Sequence, residues 1–237
     1  MTISDKLRAK FEETRLDNLG IGMRVAQEFR DGDYVNIGFG IPSFAPSFVP
    51  EGRTVILQVE NGVLNCGGLV PEESPQLMDH DLTNAGFRPI LPLPGMSFFD
   101  SAQSFAMIRG GHLDVSVVGA FQVTAKGDLA SWSRYMIGGK WTGILGGAME
   151  VTIAKTVVVA MEHISSDGEC KIVNKLTLPL TRKACVDMII TDVAVMEVTP
   201  SGLVLTEVAP GWSAKHVQEI TEPQLIVSPE LKEMQLG

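Results

Sequence analysis

The stretch Thr54-Val55-Ile56-Leu57-Gln58-Val59-Glu60-Asn61-Gly62 indicates the class of fold. Its first six residues are almost continuously apolar, as in a strand that a parallel sheet buries on both faces. Tyr34-Val35-Asn36-Ile37 forms a second, shorter strand, and Gly38-Phe39-Gly40-Ile41-Pro42 follows it directly. A Gly-x-Gly turn followed by proline predicts the start of a helix, because proline is favoured in the first helical turn. Each of these two strands therefore ends in a glycine-containing turn.

The rest of the chain continues the alternation of strands and helices. Apolar runs predict further strands at residues 113–118, 156–161, 188–191 and 193–198. Helical patterns lie at residues 14–30, 101–109 and 214–219. The alternation predicts an α/β fold with a mainly parallel central sheet flanked by helices. No linker-like segment divides the chain, so residues 1–237 are interpreted as a single domain, with the tail after residue 200 as an extension packed on it.

Composition narrows the classes of partner. The 237 residues are 45% hydrophobic and carry a formal net charge of −9. An acidic chain repels nucleic-acid phosphates and anionic lipid surfaces, so neither is an expected partner. No apolar run approaches the roughly 18–20 residues of a membrane span, and the first residues lack a signal core, so we expect a cytoplasmic protein. The cysteines, Cys66, Cys170 and Cys185, fit neither a disulfide framework nor a zinc site, which predicts reduced thiols.

Candidate functional residues follow the two strands directly. In α/β sheets, ligands bind beyond the carboxyl ends of the strands, where Gly38, Gly40 and Glu60 lie. Glycines let the backbone approach a ligand closely, and a carboxylate that ends an apolar strand is partly desolvated and therefore more nucleophilic. Taken alone, a glutamate at such a position is more often a solvated or structural group. The glycine-rich segment 143–150 is likewise explained by a tight turn before the strand at residue 156.

Three other polar side chains could have either a functional or a structural role. His112 and His163 lie beside predicted strands, where hydrogen bonding to neighbouring groups is the common role. Arg109 could bind a carboxylate or a phosphate group of a ligand, since a guanidinium fits both. It could equally place a favourable charge at the end of the helix at 101–109.

Blocks of sequence along most of the chain resemble the family I 3-oxoacid CoA-transferases, in their B (beta) chain or in the C-terminal half of fused forms. The matching blocks are Gly38–Pro42, Glu60–Gly62, Ser104–His112, Gly119–Val123, Gly127–Ala130, Gly146–Met149, Met161–His163, Thr177–Thr181 and Gly202–Leu205. The resemblance implies a fold like that of CoA-transferases and ribose-5-phosphate isomerase.

The resemblance also implies a mechanism. Glu60 is expected to be a nucleophile that carries CoA as a glutamyl-CoA thioester in a ping-pong exchange, with Gly147 as an oxyanion donor. The exchange would move CoA from an acyl-CoA such as succinyl-CoA to a 3-oxoacid, either acetoacetate or 3-oxoadipate. CoA is then a co-substrate, and no other cofactor and no metal are expected. Substrate or CoA binding is expected at Gly38, Gly40, Asn61 and Gly146.

Enzymes of this family need two related halves, and this chain corresponds to the half that carries the glutamate. We therefore expect a partner A (alpha) chain in an (αβ) or (αβ)₂ assembly. The chain departs from the family pattern at Val59, Asn65, Cys66, Ser131 and Glu150, which bears on substrate choice more than on reaction type. Two other functions stay open: acyl-CoA hydrolysis by the same glutamate, and a non-catalytic sensing domain on the same scaffold.

Overall fold

The computed structural model describes residues 5–143 and 147–236. Its helices are α1 (Asp5–Thr14), α2 (Asn18–Ala26), α3 (Ser101–Arg109) and α4 (Ala214–Glu219), and its 3-10 helices are Ile41–Phe48, Pro75–Leu77 and Glu150–Thr152. The strands are β1 (Tyr34–Ile37), β2 (Ile56–Val59), β3 (Val63–Leu64), β4 (Ser97–Phe98), β5 (Val115–Val118), β6 (Gln122–Thr124), β7 (Leu129–Ala130), β8 (Tyr135–Ile137), β9 (Lys140–Thr142), β10 (Thr156–Met161), β11 (Ile172–Val173), β12 (Met188–Thr191), β13 (Ala194–Thr199), β14 (Gly202–Val208) and β15 (Ile226–Glu233).

One ten-stranded sheet organises the molecule, in the order β15-β14-β13-β12-β10-β5-β1-β2-β3-β4. Its centre, from β12 to β2, is parallel throughout. On one side, β13 pairs antiparallel with β12, β14 antiparallel with β13, and β15 parallel with β14. On the other side, β3 pairs antiparallel with β2, and β4 antiparallel with β3. Two small sheets, β11-β6-β7 and β8-β9, lie outside it. The predicted α/β fold with a mainly parallel central sheet is confirmed.

The central strands are buried on both faces because their side chains are apolar at consecutive rather than alternate positions. All four residues of β5 and the last five of β10 are buried, and Val117 and Val159 expose no surface. Because the strands are parallel, β10, β5, β1 and β2 all end at the same edge of the sheet. Ligands bind at this edge in α/β folds, and Glu60 emerges there directly after β2.

The helix predicted at residues 14–30 is shorter in the structure and begins at Asn18. The side chain of Asp17 accepts a hydrogen bond from the backbone N–H of Gly20 at 2.8 Å, which caps α2 and leaves residues 15–17 as the connection from α1. The helices at 101–109 and 214–219 and the strand at 156–161 have the predicted bounds. Pro42 lies in the first turn of a 3-10 helix, at the place where a helix was predicted to start.

The tail after residue 200 is part of the sheet and not an extension packed on it. β14 pairs with β13 along its whole length, and β15 pairs with β14. The buried guanidinium of Arg24, in α2, donates to both carboxylate oxygens of Glu207, in β14, at 2.7 and 3.0 Å. This ion pair joins residues 183 positions apart, so no local sequence pattern could indicate it.

Candidate active site

Glu60 lies in a tight hairpin at the edge of the sheet. Val59 of β2 pairs with Val63 of β3, so Glu60, Asn61 and Gly62 form the three-residue loop between them. Gly62 has a φ of +121°, and its backbone N–H donates to the carbonyl of Val59 at 2.9 Å. A side chain at this glycine would collide with the carbonyl oxygen of Phe99, just before α3. The loop that presents the glutamate is therefore fixed by close backbone packing, which only glycine permits.

The carboxylate of Glu60 is partly withdrawn from water. The residue is partly buried, and among the described residues its carboxylate has neither a hydrogen bond nor an ion pair. Burial raises the pKa of Glu60 from 4.5 to about 7, because the charged form loses hydration that nothing replaces. A carboxylate with few hydrogen bonds is a better nucleophile than a hydrated one. Glu60 is thus a partly desolvated carboxylate in the folded chain.

A chain of buried polar side chains runs beneath this hairpin. Asn36 of β1 donates to the side-chain oxygen of Gln58 in β2, and Gln58 donates in turn to the hydroxyl of Ser104 in α3 at 2.6 Å. Ser116 of β5 donates to Asn36 at 3.4 Å. None of the four side chains reaches solvent. Because each group depends on the next, the chain holds β5, β1, β2 and α3 in register two residues before Glu60.

The Gly-x-Gly turn after β1 lies beside this hairpin. Gly38 donates its backbone N–H to the carbonyl of Val117 at 2.8 Å, and a Cβ there would be 2.8 Å from the same oxygen. Gly40 has a φ of +84° and caps the 3-10 helix Ile41–Phe48, where its carbonyl accepts from both the amide and the hydroxyl of Ser43. Gly38 is therefore required for strand packing, whereas Gly40 faces a cavity at the edge of the sheet.

The other predicted site residues have different surroundings. The Asn61 side chain donates to the carbonyl of Thr83 at 2.9 Å, so its amide holds a neighbouring loop in place. Gly147 has a φ of +70° and lies against the ring of Phe105, in α3, so closely that a side chain could not fit. Phe105 follows Ser104, which ends the chain of polar side chains. Helix α3 therefore contacts both the strand before Glu60 and the backbone at Gly147. Gly146 lies outside the described residues.

A cavity of about 290 Å³ opens beyond the ends of β1, β5 and β10. Its walls include Phe39, Gly40, Phe121, Arg134 and Lys171. Glu60 is not among its lining residues, but the strand before Glu60 is the immediate neighbour of β1. Neither Arg134 nor Lys171 was predicted from the sequence to have a role. No periodicity or motif spacing marks them, because they come to this cavity from loops far apart in the chain.

His163 has the structural role expected of it. Its ring is fully buried between the hydroxyls of Thr191 and Thr221, at 2.9 and 2.8 Å. Burial, together with the charge of Lys171, lowers its pKa to about 3, so the ring is neutral at physiological pH. A neutral imidazole whose two nitrogens are both hydrogen-bonded is held in place and is not available to act as a base. His163 therefore belongs to the framework behind the cavity.

The cysteines are free thiols, as predicted. Cys66 is buried close to the Glu60 hairpin, and burial raises its pKa to about 11, so the unreactive thiol form dominates.

Among the described residues, no group of three or more histidine, cysteine, aspartate and glutamate side chains is placed to hold a metal ion. None of the helices in residues 5–143 and 147–236 has the length and apolar character that crossing a bilayer requires.

Comparison with known proteins gives a consistent family assignment. The model of the coenzyme A transferase family matches residues 20–219. The acetate CoA-transferase subunit beta of Escherichia coli K12 is 42% identical over 89% of this chain and 94% of its own length. The B chain of a probable succinyl-CoA:3-ketoacid coenzyme A transferase of Bacillus subtilis is 44% identical over 86% of this chain and 93% of its own length.

Solved structures agree with this assignment at the level of the fold. The acyl-CoA transferase YdiF of Escherichia coli O157:H7 superposes with a TM-score of 0.68 at 21% identity. The match covers 93% of the present chain but only 44% of the YdiF chain. One chain of that enzyme therefore contains the present fold in somewhat less than half of its length.

Proposed function

Because this chain belongs to the coenzyme A transferase family, we propose that it is the subunit whose Glu60 carries CoA between two carboxylic acids. The prediction of a CoA-transferase chain is confirmed at the level of the family. The observation that carries the proposal is the partly buried carboxylate of Glu60, whose pKa burial raises to about 7. A sensing domain would have no use for such a group, which lowers the stability of the fold when it is ionised.

The reaction follows from the chemistry of a carboxylate. One oxygen of Glu60 attacks the thioester carbonyl of an acyl-CoA, the C–S bond breaks, and an acyl-glutamyl anhydride and CoA thiolate result. The thiolate attacks the glutamyl carbonyl, the donor acid leaves as a carboxylate, and a glutamyl-CoA thioester remains. A second acid reverses these steps and leaves as its CoA ester. Serine or cysteine could not replace glutamate, because the enzyme group must itself be an acid that becomes the CoA ester.

The backbone around Gly147 is suited to the charge that develops. Each attack gives a tetrahedral oxyanion, and a single well-placed N–H donor stabilises such a transition state by roughly 3–4 kcal/mol. Gly147 is held at positive φ against Phe105, so the direction of its backbone is fixed before the substrate arrives. We propose its N–H as the donor, with Gly38, Gly40, Asn61 and Gly146 around the bound substrate and CoA.

The proposed substrates are succinyl-CoA as donor and a 3-oxoacid, acetoacetate or 3-oxoadipate, as acceptor. The name of the Bacillus subtilis relative supports succinyl-CoA and a 3-ketoacid, whereas the Escherichia coli relative is named for acetate. The relatives thus share the transfer of CoA and differ in the acid.

We further propose that an A (alpha) chain completes the site in an (αβ) or (αβ)₂ assembly, in the cytoplasm. Both relatives are named as one subunit of a larger enzyme, and the match spans less than half of the YdiF chain. Large apolar side chains are also exposed in segments next to the Glu60 hairpin. Phe39, Phe87 and Phe98 expose 54%, 88% and 66% of their surface, and Phe98 pairs with Val63 in the Glu60 hairpin. A covering chain would bury these rings and exclude water from the thioester.

The decisive experiment uses the chain assembled with an alpha chain. The complex is incubated with succinyl-CoA and no acceptor, then reduced with borohydride, and the modified residue is located by mass spectrometry. We expect modification at Glu60, loss of activity on reduction, and no activity in Glu60→Gln. Glu51→Gln is the matched control, since Glu51 is an exposed glutamate in the turn before β2.

Other outcomes would point elsewhere. Free CoA that accumulates steadily without an acceptor would indicate a hydrolase that uses the same glutamate. A complex that neither labels nor consumes the CoA ester would leave the sensing alternative. Full transferase activity in Glu60→Gln would refute the proposal outright.

A further inference from the structure

The β8–β9 hairpin is exposed along its whole length. Within the described residues its two strands pair only with each other, through a turn at Gly138 and Gly139. All six strand residues are exposed, and Ile137 exposes 70% of its surface. A hairpin of two strands is marginally stable in water unless another surface packs against it. This hairpin, the arm (Tyr135–Thr142), is therefore an element that a covering surface would stabilise.

The arm is apolar on both faces and carries positive charge. Cross-strand pairing places Met136 beside Trp141 on one face and Ile137 beside Lys140 on the other. Residues 129–149 contain two basic side chains and no acidic one, in a chain whose net charge is −9. A surface that covers the arm must therefore combine apolar side chains with negative charge at its rim.

A groove of about 590 Å³ on another part of the same chain combines these properties. Helix α2, the 3-10 helix after β1 and residues 69–73 supply its lining. Leu19, Phe44 and Val70 give it an apolar surface, and Leu19 is exposed. Cavities of several hundred Å³ have the volume of a ligand pocket, so the large side chains of a partner can enter one. The arm is not part of the lining, so the groove is not filled by the arm of its own chain.

The lining of this groove is negatively charged. Glu72 and Glu73 line it, both are exposed, and neither has an ion pair among the described residues. Asp17 lines it as well, with its side chain capping α2. The guanidinium of Arg88 is also in the lining and lies 4.6 Å from the ring centre of Phe44. Three carboxylates and one guanidinium leave the lining net negative, which matches the basic arm.

We propose that the arm of one copy of this chain inserts into the groove of a second copy, and that the two copies exchange arms about a two-fold axis. Lys140 then meets Glu72 and Glu73, while Ile137 and Trp141 enter the apolar part of the groove. Reciprocal exchange closes a dimer, because each copy contributes one arm and one groove. Contact between two arms is disfavoured instead, since both are basic.

The inference goes beyond the proposed function, because it concerns how two copies of this chain associate and holds whatever Glu60 does. It favours (αβ)₂ over (αβ) for the assembly with an alpha chain. Both sides of the contact lie on this chain, so the proposal requires no property of another protein.

Sedimentation of the chain by itself is the first measurement. The unmodified chain, of 25.6 kDa, should form dimers with a Kd in the micromolar range or below, about −8 kcal/mol or stronger. Lys140→Glu reverses the charge of the arm, and Glu72→Lys with Glu73→Lys reverses that of the groove. Each variant should raise the Kd of dimerisation about tenfold or more. Lys175→Glu and Glu51→Lys are the matched controls, since both residues are exposed and lie outside the arm and the groove.

The decisive measurement mixes the arm variant with the groove variant. In a mixed pair, the reversed arm of one chain meets the reversed groove of the other, and the unmodified arm meets the unmodified groove. Both contacts regain opposite charges, so the mixture should dimerise with a Kd within about threefold of the unmodified chain, although neither variant does so alone. A mixture that dimerises no better than its two components would overturn the proposal.

Other outcomes also decide against it. An unmodified chain that stays monomeric up to about 1 mM, which corresponds to about −4 kcal/mol, has no such contact. Lys140→Glu that weakens binding of an alpha chain and leaves dimerisation unchanged would assign the arm to that chain instead. Circular dichroism and thermal unfolding of each variant, measured under dilute conditions, should match those of the unmodified chain, since the side chains of Lys140, Glu72 and Glu73 are exposed. Transferase activity does not enter these measurements, so the proposed function and this inference fail independently.

Discussion

Replacing Glu60 with glutamine should stabilise the folded chain, and the gain should grow with pH. The pKa of Glu60 is about 7 in the folded chain against an ordinary 4.5. Below pH 4.5 the carboxyl group is protonated in both the folded and the unfolded state, so its burial has no pH-dependent effect. Between pH 4.5 and 7 the unfolded state ionises first, and the free energy of unfolding falls. Above pH 7 both states are ionised and the loss is complete.

The size of the effect follows from the same two pKa values. One pH unit corresponds to about 1.4 kcal/mol, so the ionised carboxylate lowers the free energy of unfolding by roughly 3 kcal/mol at pH 8 and about 1.4 kcal/mol at pH 5.5. Glutamine is neutral and nearly isosteric, and it avoids this loss at every pH. We therefore expect Glu60→Gln to gain roughly 2 kcal/mol more stability at pH 8 than at pH 5.5.

The assay is urea denaturation of the chain at the two pH values, with Glu51→Gln as the control. Glu51 is exposed, so the same substitution there should change stability equally at both pH values. If the difference in free energy of unfolding between Glu60→Gln and the unmodified chain were the same at pH 5.5 and pH 8, the desolvation of this carboxylate would be refuted.

The same pKa predicts that the rate of attack on acyl-CoA rises about tenfold between pH 6 and pH 8, since only the carboxylate is nucleophilic.

Three further substitutions test the rest of the site and the fold. Gly147→Ala places a side chain at positive φ against α3, so we expect a loss of stability of at least about 1 kcal/mol and a fall in kcat on the order of a hundredfold, measured by thermal unfolding and steady-state kinetics. Gln58→Leu leaves the hydroxyl of Ser104 buried without its donor and should lower the free energy of unfolding by about 1–3 kcal/mol in urea. Arg24→Met leaves the buried Glu207 with only Lys232, at 3.3 Å, as an ion-pair partner, and should cost about 3 kcal/mol, whereas the double replacement of Arg24 by Met and Glu207 by Leu should cost less. Burial raises the pKa of Glu207, but its pairing with Arg24 and Lys232 outweighs this and lowers the pKa, so the stabilising effect is present near neutral pH and lost in acid, and Arg24→Met should weaken that pH dependence.

Local sequence patterns were sufficient to predict the bounds of the longer helices and strands. The strand at 156–161 is a continuous apolar run and has the predicted bounds, as do the helices at 101–109 and 214–219. The short strands between Gln122 and Thr142 were not predicted, because two or three residues are too few to show any period. The helix predicted from residue 14 begins instead at Asn18, because the side chain of Asp17 caps it by accepting from the backbone N–H of Gly20.

For the site, too, the sequence predicted some features and the structure was needed for others. The amino-acid order was enough to show that Glu60 ends a buried strand near a Gly-x-Gly turn, and the blocks of resemblance predicted the family that the comparisons then confirmed. The folded chain was needed to show that the Glu60 carboxylate is desolvated, and that Lys171 and Arg134 meet Phe39 around one cavity. Hydrophobic periodicity is a property of neighbouring residues and can be read from the chain. Desolvation, charge pairing and cavity shape depend on which distant segments fill the surrounding space, and that is settled only when the sheet assembles.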